Sequence, residues 1–243
     1  MTKTHYNNKE ILIFKDMDGI TDCAVNKWAE IAERTVNEKG LFCVAISGGK
    51  TPAALFRKLS KKEGLPWSKT HVFMVDERFV PYQNENNNYR MINELLLRHV
   101  DIPAKNIHPI STTIETPQAS ALKYEKELNS FFRSRPGFDL VILGIGDDGH
   151  TASLFPRAPS LKEKKHPAIA VLPSGAILSE RITMTFPVID NAENIIFMAE
   201  GSSKSGVIRE VIEDEKSRLP AAMVKPLKGS LFFLLDEAAA SLL

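Results

Sequence analysis

The sequence is short of three things, and each shortage removes a class of function. Cysteine occurs only at Cys23 and Cys43, too few for a disulfide scaffold. Cys43 sits in the apolar run Leu41-Phe42-Cys43-Val44-Ala45-Ile46, where a buried, inert thiol is a better reading than a nucleophile. Such cysteine use fits a reducing compartment. Charge of one sign is missing too, because 31 Lys and Arg oppose 30 Asp and Glu for a formal net charge of +1. The charges are interspersed, without the basic stripe of a nucleic-acid surface or an acidic tail. An anionic ligand must therefore be caught by a local constellation. Finally, no apolar run approaches a membrane span, and Met1 to Glu10 is polar and lacks the apolar segment of a secretory signal. The protein is expected to be cytoplasmic, with neither nucleic acid nor membrane as a partner.

What is present is an ordinary globular composition, 43% hydrophobic and 25% charged over 243 residues, which is ample to bury a core. Short β-rich apolar runs alternate with longer stretches of helical period. Strands are predicted at Ile11 to Phe14, Leu41 to Ile46, Val72 to Val75, Leu140 to Ile145, Ala168 to Leu172, Ile182 to Phe186, Asn194 to Ala199 and Leu231 to Leu235. Between the first two, Ile20, Ala24, Trp28, Ile31 and Thr35 recur at steps of three or four, as the buried face of one helix requires. Further helices are predicted at Ala53 to Lys62, Tyr89 to Val100, Gln118 to Arg133, Lys204 to Glu213 and Asp236 to Leu242. With no internal repeat and no low-complexity linker, the expectation is one α/β domain over residues 1–243. It should hold a Rossmann-like, mostly parallel sheet with helices on both faces.

Ligands of such sheets bind beyond the carboxyl ends of the strands, and four strand ends here carry unusual chemistry. The first is Ser47-Gly48-Gly49-Lys50-Thr51-Pro52. Its glycines permit a tight turn that presents backbone N–H groups, Thr51 is placed to cap the following helix, and Pro52 suits a first helical position. A nest of this kind at a helix N-terminus suits phosphate. It is not a nucleoside-triphosphate loop, since Val44 stands where that motif needs a glycine. A plain turn would explain the glycines and Pro52 but gives no reason for Ser47, Lys50 and Thr51 together.

The second is Gly144-Ile145-Gly146-Asp147-Asp148-Gly149-His150, which imitates a dinucleotide fingerprint. Two carboxylates would face the pyrophosphate, no acid ends the next strand, and Pro156 interrupts the expected helix. The loop instead offers His150 beside Asp148 on glycine-shaped backbone, suited to general-base activation of water. The third is Asp76-Glu77-Arg78, read either as a solvated turn or as part of a cleft in which Arg78 offsets charge on a carbonyl oxygen. The fourth is the pair Arg181 and Lys204, each ordinary alone, which together with the Ser47 loop would surround a phosphate dianion. A serine-hydrolase elbow is absent. The six histidines form no metal-ligand spacing, although Asp76, Asp148 and His150 could meet in space; neither a metal nor a cofactor is expected.

These motifs, in this order and spacing, resemble the 6-phosphogluconolactonase family: Ser-Gly-Gly-x-Thr-Pro at 47–52, Asp-Glu-Arg at 76–78, Gly-x-Gly-x-Asp-Gly-His-Thr-Ala-Ser-Leu-Phe-Pro at 144–156, Arg-Ile-Thr at 181–183, and Lys204. The likeness extends to Leu235-Asp236-Glu237-Ala238-Ala239. The Ser-Gly-Gly loop and the Asp-Glu pair are shared with the related glucosamine-6-phosphate deaminases, which typically carry Phe-Asn-Glu-Pro after the His loop. Here that stretch is Ser153-Leu154-Phe155-Pro156, without the acid of ring-opening chemistry. The resemblance implies hydrolysis of a phosphorylated sugar lactone, with His150 as base, Asp148 supporting it, and Asp76, Glu77 and Arg78 in the cleft. Ser47, Gly48, Gly49, Lys50, Thr51, Arg181 and Lys204 would hold the phosphate. The expected partner is the small-molecule lactone alone, for a monomer or weak homo-oligomer. One departure is the approach to Arg181, proline-rich in the family and Pro173-Ser174-Gly175-Ala176-Ile177-Leu178-Ser179-Glu180 here. A deaminase or isomerase, and a non-enzymatic sugar-phosphate sensor, are the rival readings. A sensor in a transcription regulator should carry a helix-turn-helix, whereas residues 1–40 promise a strand and one helix.

Overall fold

The architecture follows from which apolar runs are buried on both faces. A computed structural model describes residues 1–133, 135–173 and 179–243. In chain order the elements are β1 (Thr2–Tyr6), β2 (Lys9–Phe14), α1 (Met17–Lys39), β3 (Phe42–Ile46), α2 (Lys50–Leu59), β4 (Thr70–Met74), β5 (Asp76–Arg78), α3 (Asn88–Leu95), β6 (Ile107–His108), α4 (Pro117–Phe132), β7 (Leu140–Gly144), β8 (Ala168–Val171), β9 (Arg181–Met184), α5 (Phe186–Ile189), β10 (Asn194–Ala199), α6 (Ser205–Glu213), α7 (Pro220–Met223) and β11 (Ser230–Asp236). Every residue of β3 and of β10 is buried, as expected of central strands covered on both sides.

Eight strands form the main sheet in the order β1-β2-β11-β10-β7-β3-β4-β6. All neighbours are parallel except β1, which pairs antiparallel with β2 at the edge. The chain steps one way from β3 to β4 and β6, and the other way from β7 to β10 and β11. The order thus reverses between β3 and β7, where a crevice opens beyond the strand ends. The helix α1 shows how local sequence sets an element. The Asp16 side chain accepts from Gly19 N–H at its start, and Gly40, at φ 81°, ends it with an N–H bond to Val36. The predicted stripe Ile20, Ala24, Trp28, Ile31 and Thr35 is buried, widened by Thr21, Val25 and Ala32.

Three sequence expectations are corrected. The runs at Ala168 and Ile182 are strands, but they leave the main sheet and form a second, antiparallel sheet in the order β5-β9-β8. Its third strand is Asp76–Arg78, which the polar sequence conceals. The predicted helix at Asp236 to Leu242 is instead the last residue of β11 followed by turns. There the Asp236 carboxylate accepts from Ala239 N–H at 2.7 Å and from Gly201 N–H at 3.0 and 3.1 Å, so it serves as a tie between two loops. The helix expected at Tyr89 to Val100 stops at Leu95 and continues as a 3-10 turn over Leu97–His99. No helix among the described residues is long and apolar enough to cross a membrane. Cys43 is buried, and burial followed by the nearby Asp139 charge pushes its thiol well above the ordinary range, consistent with an inert role.

Candidate active site

Four adjacent strands, β10, β7, β3 and β4, end on one edge, and the segment after each supplies one wall of a cavity of about 430 Å³. Ser47, Gly48, Gly49, Lys50, Thr51, Asp76, Arg78, His150, Arg181 and Lys204 all line it. Of the predicted site residues, Asp148 and Glu77 are not in the lining: Glu77 is buried, and the exposed Asp148 lines a neighbouring cavity with Phe155 and Leu219.

The Ser47 loop turns into α2 by a route slightly different from the one expected. Gly49, at φ 117°, is the N-cap and makes no side-chain cap bond. The helix therefore begins at Lys50, so Thr51 does not cap it and Pro52 is its third residue, where a missing N–H still costs no intrahelical bond. The first-turn N–H groups are left for a ligand. Gly48 has no room for a side chain, since a Cβ there would stand 2.1 Å from Asn88 Oδ1. Ser47 is 5% exposed and its Oγ has no hydrogen-bond partner among the described residues, a cost of about 1–3 kcal/mol for a buried polar atom unless a ligand satisfies it.

His150 is held from three sides. Asp148 Oδ1 lies 2.6 Å from Nδ1 and accepts the His150 backbone N–H at 3.0 Å. Burial acts to raise the Asp148 carboxyl, but the hydrogen bonds and charge from His150 outweigh it and hold the acid below its usual value. An ionised carboxylate has no proton to give, so Nδ1 carries one and Nε2 is the basic nitrogen of the neutral ring. Phe155 stacks on the imidazole with ring centroids 4.6 Å apart. Gly146 N–H donates to the His150 carbonyl at 2.8 Å, folding the loop back upon itself.

The small sheet brings two arginines side by side. Arg78 on β5 is the register partner of Arg181 on β9, and like charges directly opposed on neighbouring strands are unfavourable. Burial, with Arg78 adding to it against Asp76 and Glu77, lowers the Arg181 guanidinium pKa. Among the described residues neither buried Nε atom has a hydrogen-bond partner. Arg78 Nη1 donates to the Asn86 carbonyl at 2.8 Å, and Arg181 lies over the Phe155 ring with Cζ 5.3 Å from its centroid. Two desolvated cations with spare donors make a place for an anion. Residues 174–178 of the approach to Arg181 lie outside the described residues.

The acids of this corner are structural supports as well as charges. Asp76 Oδ2 accepts from Ser153 Oγ at 2.6 Å. Glu77 is fully buried and accepts N–H bonds from Arg78, Asn88 and Tyr89, pinning the start of α3. Burial pushes its carboxyl up to about 7, against those three bonds, with Asp76 adding to the rise. Among the described residues no group of three or more His, Cys, Asp and Glu side chains is disposed as a metal site, so Asp76, Asp148 and His150 do not meet as a ligand set. Sequence reasoning missed Asn88, whose amide donates to the Asp76 carbonyl at 3.0 Å, and the partner of Lys204, which is Asp147 at 2.7 Å. Polar residues in an asparagine-rich loop gave no sign of the former. The charge of Asp147 was the available signal for the latter.

The likeness to known proteins covers nearly the whole chain. The family described as glucosamine-6-phosphate isomerases/6-phosphogluconolactonase matches residues 15–233. A 6-phosphogluconolactonase of Synechocystis is 37% identical over 238 residues, covering 96% of this chain and 94% of that one. Among solved structures, a 6-phosphogluconolactonase from Thermotoga maritima superposes with a TM-score of 0.83 at 32% identity, covering 93% of this chain and 99% of the other. One from Trypanosoma brucei gives 0.84 at 29%, covering 98% and 99%. With the two-sheet frame, the glycine-shaped Ser47 loop and the Asp148–His150 pair already in place, the chain belongs to the glucosamine-6-phosphate isomerase/6-phosphogluconolactonase family.

Proposed function

We propose that this protein hydrolyses 6-phospho-D-glucono-1,5-lactone to 6-phospho-D-gluconate, a step of the oxidative pentose phosphate pathway. The observation that carries the reading is the convergence on one cavity of an Asp-supported histidine and an unsatisfied cationic cradle. A cyclic ester is already reactive, so positioning, a base and a partner for the oxyanion suffice. Lys204 and the Ser47 to Thr51 loop hold the phosphate, with Arg181 beside them. His150 Nε2 removes a proton from water as its oxygen attacks the lactone carbonyl. Arg78 offsets the charge on the tetrahedral oxygen. When the ring C–O bond breaks, the imidazolium returns its proton to the departing ring oxygen. Asp148 fixes the tautomer, while Asp76 and Glu77 hold the arginine-bearing strand and α3 in place. No covalent intermediate is needed.

Where a deaminase would carry its acid, this chain has Ser153 bonded to Asp76, a buried Leu154, and Phe155 stacked on His150, which supports lactonase over deaminase chemistry. One hydrophobic cluster runs from Ile11 to Ala240, supporting a single domain. We read the protein as a cytoplasmic monomer or weak homo-oligomer; its exposed large apolar side chains include Leu122, Leu172 and Leu227 and the adjacent Leu242 and Leu243.

The test is hydrolysis of freshly prepared lactone, coupled to 6-phosphogluconate dehydrogenase and compared with the spontaneous rate. His150→Ala is expected to lower kcat by about 10²–10⁴-fold. Retention of the wild-type rate by that variant removes His150 as the base. Wild-type protein that does not outpace the spontaneous reaction removes the lactonase reading, and ammonia release from glucosamine 6-phosphate becomes the assay.

A further inference from the structure

A lysine facing an anion cradle either stays solvated or finds another anion, and Lys204 has found one. Its Nζ lies 2.7 Å from Asp147 Oδ1, and both side chains line the cavity. The two ends of this pair are held very differently. The Lys204 side chain is 20% exposed and that of Asp147 is 75% exposed. Lys204 closes a 3-10 turn through its N–H bond to the Gly201 carbonyl at 3.1 Å, and Gly201 is itself tied to the Asp236 carboxylate. Asp147 has no second ion pair among the described residues, and its side chain is free to swing into water. The pair therefore opens from the aspartate side and leaves the ammonium in place.

We propose that Asp147 tunes the affinity of this site for phosphate, as a built-in competitor that occupies Lys204 until a phosphate dianion displaces it. This rests on the reading of the cavity as a sugar-phosphate site. A dianion with three acceptor oxygens engages Lys204 together with the orphaned Ser47 Oγ and the first-turn N–H groups of α2, which a single carboxylate on a short side chain does not do at once. A lactone without phosphate supplies no such anion, so it leaves the Lys204–Asp147 pair closed and gains nothing from Lys204. Asp147 thus lowers the affinity for every ligand that uses Lys204 and leaves the others untouched.

The experiment titrates inorganic phosphate calorimetrically into the wild-type protein, Asp147→Asn, Lys204→Gln and the double variant, with lactone hydrolysis measured in the same buffer. A half-exposed ion pair is worth about a two- to fivefold change in affinity. Asp147→Asn is expected to tighten phosphate binding by that factor and to lower KM for the phosphorylated lactone in parallel, with KM for unphosphorylated glucono-1,5-lactone unmoved. In the Lys204→Gln background the gain should vanish, because the competition acts through Lys204. Unchanged or weaker phosphate binding by Asp147→Asn overturns the proposal, as does absence of phosphate binding by all four proteins. An equal gain in both backgrounds also overturns it, since that is a general field of the carboxylate and not a competition. If the phosphate pattern holds but the wild-type protein hydrolyses no lactone, the proposed reaction fails and the competition at Lys204 stands.

Discussion

Between His150 and the backbone of its own loop there is no room for a methyl group. A Cβ on Gly146 would stand 2.1 Å from His150 Nδ1 and 2.7 Å from Asp148 Oδ1, so it would strike the very hydrogen bond that fixes the tautomer. The backbone of Gly146 lies outside the left-handed region, and alanine can adopt it without strain. The damage from Gly146→Ala is therefore aimed at the dyad and not at the fold. With His150 as the proposed base, displacing it by about 1 Å can cost about 10²-fold in rate, and a loss of that order in kcat is expected with little change in melting temperature. Parallel kinetic and thermal-melt measurements check it; a full-rate variant would show that the ring does not depend on this contact. Gly149 is the contrasting case, with φ 79° and a Leu219 methyl 2.8 Å from where a Cβ would stand. A side chain there meets both strain and the packing of another segment.

Legibility in the sequence differs from element to element, and the differences have physical causes. The strands of the sheet centre announce themselves because burial on both faces demands continuous apolar runs, as in Phe42–Ile46 and Asn194–Ala199. Segment Asp76–Arg78 is hidden because its identity as a strand comes from pairing with Arg181 to Thr183, a partner about a hundred residues away whose ladder leaves no local period. The edge strand Thr2–Tyr6 is exposed throughout and shows no alternation to detect. The Ser47 and His150 loops are legible for the opposite reason, since glycines at strand ends are unusual unless chemistry or tight turns need them. The false helix at Asp236 arises from Ala238 to Ala240, good helix formers whose propensity is overridden by the Asp236 carboxylate. That carboxylate ties the end of β11 to the Gly201 turn that carries Lys204. Asp236→Asn keeps an acceptor but removes the charge and places an amide against N–H groups. With hydrogen bonds to charged groups worth about 1.5–3 kcal/mol, a destabilisation of about 2 kcal/mol is expected. Urea unfolding measures that loss, and a rise in KM without an equal fall in kcat would mark the freed Lys204 turn.

Across the whole molecule, buried carboxyls set how stability depends on pH. Burial, opposed by the Lys225 N–H bond and the charges of Lys164, Arg135 and Lys225, pushes Asp190 up to about 6, and burial pushes Glu77 up to about 7. Both folded values lie above those of the unfolded chain, so the folded state binds more protons between them. The stability these groups contribute is fully present below pH about 4 and is lost as the pH rises through 6 and 7. His71 works the other way, because burial and then the His108 charge lower its pKa, and its contribution is present above its unfolded value and lost as the pH falls. Asp148, held low, loses its contribution only when the pH drops below the ordinary aspartate range. Asp190 isolates one strand of this balance. Its Oδ1 accepts from Lys225 N–H at 2.9 Å, and its carbonyl accepts from Leu227 N–H at 2.8 Å, so it ties the segment after α5 to the approach to β11, far from the cavity. In Asp190→Asn the amide oxygen still accepts the Lys225 bond, but nothing titrates. Between pH 5 and pH 8 the unfolding free energy should therefore fall less in the variant than in the wild type, by on the order of 1 kcal/mol. Equal slopes in the two proteins would place the titrating group elsewhere, and a steeper slope in the variant would reverse the sign assigned to Asp190.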